Sequence, residues 1–137
     1  MIAAGLRKIA SGGELSRVAL ALRTAVAPSK PNKETQRTLV FDEVDAGVGG
    51  SAAESVGRRL KKLAGSAQVL CVTHLAQVAS FADHHFVVEK HTAKGRTVTT
   101  VEELDESSRA RELARMFSGE TLTQEAIRHA ERMLKAV

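Results

Sequence analysis

The sequence contains no tryptophan and no tyrosine, and only four phenylalanines in 137 residues. That shortage argues against a base-stacking platform for single-stranded nucleic acid, which needs aromatic faces. Cysteine occurs once, at Cys71. One thiol excludes a disulfide framework, and its place in Val69-Leu70-Cys71-Val72 predicts a buried structural group. No apolar run approaches the length of a membrane span, and the first residues carry no basic-then-apolar leader. The expectation is a cytoplasmic protein with no membrane partner. Internal repeats and low-complexity tracts are also lacking.

What is present suits a folded protein. Apolar residues make up 43%, and 137 residues suffice to bury a core, so residues 1–137 read as a single domain. The net charge of +4 permits nucleic-acid contact without demonstrating it. Its basic residues, at Arg58-Arg59, Lys61-Lys62 and from Arg109 to Arg115, are scattered and partly interrupted by acids. They read as solvated helix faces more than as a groove.

Chemistry concentrates around Thr38-Leu39-Val40-Phe41-Asp42-Glu43-Val44-Asp45. A short apolar run ending in adjacent carboxylates predicts a buried strand of a parallel or mixed sheet, with acids at its carboxyl end, where α/β sheets bind ligands. Upstream, Ser11 and Glu14 are spaced as a capping box, and Gly12-Gly13 leave bare amides at a helix start, a natural anion site. Leu15, Val18, Ala19 and Leu22 continue at helical spacing until Pro28, which begins a polar loop to Arg37. Met1 to Ala10 reads as the tail of an upstream segment.

Downstream, Gly47-Val48-Gly49-Gly50 is a turn. A helix from about Ser51 to Ala64 follows, with Ala53, Val56, Leu60 and Leu63 on one face. A second buried strand, Ala67 to Val72, ends in Thr73-His74-Leu75, so both strands deliver polar groups to one edge. A short helix is expected over Leu75 to Ala82. His84 to Lys90 and Thr97 to Glu103 read as strands joined around Ala93-Lys94-Gly95-Arg96. His84, His85 and His91 lack the partners that complete a metal-ligand set. Two helices end the chain. One is opened by Ser107 or Ser108 with Ala110, Leu113, Ala114 and Phe117 inward; the other runs from about Thr121 to Lys135, with Ala126, Ala130 and Met133-Leu134 inward.

Three motifs stand in a fixed order: Ser-Gly-Gly-Glu-Leu-Ser from Ser11, Leu-Val-Phe-Asp-Glu-Val-Asp from Leu39, and Val-Thr-His from Val72. Together they resemble the ABC-type ATPase head of SMC-like proteins, with its signature motif, Walker B and D-loop, and H-loop. Lys8-Ile9-Ala10, Phe-Asp-Glu-Val-Asp-Ala-Gly-Val-Gly-Gly from Phe41, Val-Thr-His-Leu-Ala-Gln-Val-Ala from Val72 and the tail around Ser118-Gly119-Glu120 resemble the bacterial members that act in DNA double-strand break repair. The resemblance implies an α/β lobe whose mostly parallel sheet is flanked by helices, with a β-hairpin and two C-terminal helices. It implies that Asp42 holds Mg²⁺, mostly through water, that Glu43 polarises the hydrolytic water and that His74 contacts the γ-phosphate. Asp45 would belong to a D-loop crossing a dimer interface. Ser11, Gly12, Gly13 and Glu14 would reach a nucleotide held by a second head, so that two heads sandwich two ATP molecules.

The sequence departs from that pattern at one point. No Gly-x-x-x-x-Gly-Lys-Ser/Thr phosphate loop occurs in it, and no Q-loop. The resemblance therefore implies the C-terminal half of a head, inactive alone, whose partners are an N-terminal P-loop lobe of the same protein, a second head and, in the full-length protein, DNA. The missing half would leave an apolar face uncovered. Two other classes of function compete: a non-catalytic dimerisation or DNA-docking module, and a Mg²⁺-dependent nuclease using Asp42, Glu43 and Asp45. The nuclease leaves the signature and His74 without a purpose.

Overall fold

The computed structural model describes residues 11–26, 37–93 and 95–137. The Lys8-Ile9-Ala10 lead, nearly all of the loop from Pro28 and the hairpin residue Lys94 lie outside them. The described chain forms two compact units, residues 1–81 and 82–137.

In the first unit, α1 (Gly12–Val26) leads to β1 (Thr38–Phe41). Next come α2 (Gly50–Ala64), β2 (Gln68–Cys71) and the single turn α3 (Ala76–Ala79). β1 and β2 are parallel, in register Thr38↔Gln68 through Phe41↔Cys71. Parallel strands need a crossover, and α2 supplies it. Helix α2 buries Ala53, Val56, Leu60 and Leu63, the face its spacing predicts, and Gly65 follows as its C-cap. These side chains pack with Leu20, Phe41, Val44 and Val78 into one core. Each fully buried leucine or valine there stabilises the unit by about 2 kcal/mol relative to exposure.

The expected burial of both strands is corrected. The strands are buried on one face only: Leu39, Val69 and Cys71 pack against the core, while Val40 is 68% exposed and Leu70 48%. Parallel pairing puts Val40 beside Leu70 on one side of the pleat, and Val72 extends that exposed row. In α1, the buried positions are Gly13 and Leu20, while Leu15, Val18 and Leu22 are exposed. The helix is apolar on several sides, so periodicity alone does not select the side that is covered. The parallel sheet has two strands among the described residues, and the hairpin forms a separate sheet.

In the second unit, β3 (Phe86–Ala93) and β4 (Arg96–Glu103) pair antiparallel from Phe86↔Glu103 to Ala93↔Arg96, with Gly95 at φ +73° in the turn. Helix α4 (Glu106–Ser118) is capped not by Ser107 or Ser108 but by Asp105, whose side chain accepts the Ser108 N–H at 2.7 Å. A carboxylate accepts that N–H better than a hydroxyl and sits well on the positive helix end. The same bonds hold the Asp105 carboxyl below its ordinary pKa. Helix α5 (Gln124–Lys135) starts three residues later than the sequence suggested, at a Thr123 cap that accepts the Ala126 N–H. Leu113, Ala114 and Ala130 are fully buried between these helices. Phe117 instead lies 38% exposed at the rim, its ring edge-on to His129 with centroids 5.1 Å apart.

Candidate functional site

The capping box forms as expected. The Ser11 N–H donates to Glu14 Oε2 at 2.7 Å, and the Glu14 N–H donates to Ser11 Oγ at 3.3 Å. The Ser11 N–H first, and then the Ser11 hydroxyl, hold the Glu14 carboxyl below its ordinary pKa. The N-terminus of α1 so fixed lies against the turn that follows β1. Ser16 Oγ donates to the Asp42 carbonyl at 2.9 Å, and Arg17 Nη1 donates to the Ala46 carbonyl at 2.6 Å. The approach is close enough to require glycine at position 13, and at position 12 it puts the backbone against the movable Glu43 side chain. A Cβ on Gly12 would stand 2.6 Å from Glu43 Oε2, and one on Gly13 would stand 2.7 Å from the Ala46 Cβ and 2.9 Å from the Glu43 carbonyl oxygen.

Asp42 and Glu43 are both exposed at the carboxyl end of β1. Glu43 has φ +57°, a left-handed conformation that costs a non-glycine residue about 1 kcal/mol or more and clusters at functional sites. Asp45 differs in being 2% exposed. Its Oδ2 accepts the Thr73 hydroxyl and, at 3.1 Å, the His74 N–H, and it faces His74 Nδ1 at 3.3 Å. The His74 ring itself is 74% exposed. Val72 N donates to the Phe41 carbonyl at 2.9 Å, carrying the parallel pairing one step further and bringing Thr73-His74 level with the acids.

Three segments far apart in sequence, the α1 start at Ser11–Glu14, the turn carrying Asp42, Glu43 and Asp45, and Thr73-His74, thus meet along one sheet edge within the first unit. Thr73 was missed as a member. Its signal was available: a hydroxyl at the end of a strand beside a histidine, facing a strand that ends in acids.

Hard carboxylate oxygens at a sheet edge suit Mg²⁺, which is commonly held by one or two carboxylates plus water and phosphate oxygens. No cluster of three potential metal ligands occurs among the described residues. Cys71, half-buried under the same edge, is kept protonated: burial first, then the charges of Asp45 and Asp42, push its thiol up to about 11. Because the thiolate is the reactive species, iodoacetamide should label native Cys71 at pH 8 at least about tenfold more slowly than the unfolded chain. Equal rates would show that the thiol is not shielded.

The described residues thus form an α/β protein with a parallel βαβ unit that gathers acids, a histidine and a helix N-terminus at one edge. No protein-family model matches the chain. Curated relatives do, and the chain is homologous to one segment of the DNA repair protein RecN. It is 50% identical to RecN of Deinococcus radiodurans over 129 residues, 94% of this chain and 22% of that protein. For RecN of Streptomyces coelicolor the figures are 50% over 130 residues, 95% of this chain and 22% of that protein. With RecN of Rickettsia prowazekii it shares 45% identity over all 137 residues, 24% of that protein. The chain spans about a quarter of the length of these relatives. No helix among the described residues is long and apolar enough to cross a membrane.

Proposed function

We propose that this chain is the C-terminal lobe of an ABC-type ATPase head of the SMC-like kind, both units belonging to that one lobe. In it Glu43 polarises the water that attacks ATP, and His74 contacts the γ-phosphate. Asp42 helps hold the Mg²⁺ that neutralises phosphate charge, and Ser11, Gly12, Gly13 and Glu14 form the signature that faces a nucleotide on a second head, the Ser11–Glu14 capping box leaving the Gly12 and Gly13 amides to reach it. The whole protein acts in DNA double-strand break repair and recombination, in the cytoplasm at the nucleoid, with DNA as a partner. One observation carries the reading most: the Gly12-Gly13 start of α1 lies against the acidic turn after β1, and Asp45 of that turn bonds to Thr73-His74, all at the carboxyl edge of a parallel pair. Phosphoryl transfer needs placed charge and bare amides more than covalent chemistry, and this edge offers both.

The reading makes the chain incomplete, because its sequence holds no phosphate loop. Alone it should neither bind Mg-ATP tightly nor turn it over. Mixed with the P-loop-bearing N-terminal lobe of the same protein, it should hydrolyse ATP. Turnover by the chain alone would overturn the split-site reading.

A second reading has one observation in its favour. Leu15, Val18, Leu22 and Val26 form an exposed apolar row along α1, from 38% to 78% exposed, as an interaction module would present. In that case the motifs serve docking, and turnover in the mixture would not depend on Glu43.

A further inference from the structure

Thr73 precedes His74 in the chain, and both residues bond to the same oxygen of Asp45. The Thr73 hydroxyl donates to Asp45 Oδ2 and accepts the Leu75 N–H at 3.1 Å, so its one proton is committed to Asp45. Leu75 is the N-cap of α3, which places Thr73 at the joint between β2 and the next turn of helix. Asp45 Oδ2 also accepts the His74 N–H and faces His74 Nδ1.

The partition of exposure is what gives this joint a purpose. The carboxylate is buried and the imidazole projects into solvent, with its Nδ1 side toward the carboxylate. A proton on Nδ1 would face the carboxylate oxygen 3.3 Å away and so select the tautomer and the ring angle together. Nε2 is then turned outward, an acceptor in the neutral ring and a donor when the ring is charged. A buried carboxylate keeps such an orientation only while its other donors hold it. The Thr73 hydroxyl is a side-chain donor to it, and bonds to an ionised acceptor are among the stronger kinds.

We infer that Thr73 is a positioning residue whose hydroxyl locks the Asp45 carboxylate to the end of β2, so that His74 presents Nε2 at the sheet edge with its proton on Nδ1. Its kinetic consequence rests on the ATPase reading above; its geometric consequence does not.

Two measurements separate those levels. In the two-lobe mixture, Thr73→Val, which keeps the shape and removes the hydroxyl, should lower kcat by about ten- to a hundredfold and leave KM for ATP within about twofold. Thr73→Ser should restore most of kcat, which a purely structural defect would not predict. In the chain itself, nitrogen NMR of the His74 ring should show the proton on Nδ1 in the wild type and in Thr73→Ser. Thr73→Val should show a mixture of tautomers. A wild-type ring protonated on Nε2 overturns the inference without any variant, which covers a valine variant that does not fold. Loss of turnover in Glu43→Gln together with full kcat in Thr73→Val overturns it and leaves the ATPase reading standing. Full turnover in Glu43→Gln removes the reading and the kinetic role of Thr73 with it.

Discussion

Glu43→Gln, tested in the mixture of this chain with the proposed P-loop lobe, is expected to abolish steady-state ATP hydrolysis while ATP binding persists. Glutamine keeps the length of the side chain and its ability to hold a water molecule, but not the basic carboxylate. Loss of a general base lowers rate by about 10²- to 10⁴-fold, so turnover should fall to background. The second half of the expectation is the more discriminating. Glu43 stands beside Gly12 at the start of α1, and removing its charge takes an anion away from amides assigned to a phosphate. Engaged heads should therefore form with ATP and persist, appearing as a stable dimer by light scattering. Turnover within a few-fold of wild type would rule out Glu43 as the base and leave the docking-module reading in possession of the same geometry.

How far the sequence was readable depends on whether a feature is local. The capping box of Ser11 and Glu14 formed because its two bonds span three residues, and the inward face of α2 was right because the side chains opposite that face are polar or charged, Glu54, Arg58, Lys61 and Lys62 among them. The shared edge of β1 and β2 was readable because a βαβ unit aligns the carboxyl ends of its strands. Two kinds of feature were not. The covered side of α1 could not be chosen among Leu15, Val18, Leu20 and Leu22, since each is apolar and the choice is made by what packs there. The burial of Asp45 under Thr73 and His74 depends on a tertiary contact across 28 residues of sequence, which no local pattern encodes. Family resemblance assigned Asp45 to a loop crossing between heads; within this chain the carboxylate already has partners of its own.

Gly13→Ala and Gly12→Ala should separate sharply in stability, although both replace adjacent glycines at one helix start. Within a helix the exchange should stabilise by up to about 1 kcal/mol, because alanine loses less backbone entropy on folding. At Gly12 the new methyl meets Glu43 Oε2, the far end of a flexible side chain that can swing into solvent. Its net effect should be near zero or favourable. At Gly13 the methyl meets the Ala46 Cβ and the Glu43 carbonyl oxygen, neither of which can turn away. Their turn is itself tied down, by the Ala46 N–H bond to the Glu43 carbonyl at 3.1 Å and by Ser16 and Arg17 reaching across from α1. Relief requires α1 to lift from the turn, stretching the Ser16 and Arg17 bonds as it does so. Overpacking of this kind costs about 1–3 kcal/mol, more than the helix gain, so Gly13→Ala should be the destabilised variant. Urea unfolding of the two variants beside the wild type measures this, with Gly13→Ala unfolding at the lower midpoint. A Gly13→Ala midpoint equal to or above that of Gly12→Ala would mean that α1 does not rest on the Glu43–Ala46 turn, and the joined edge on which the proposed function depends would be lost with it.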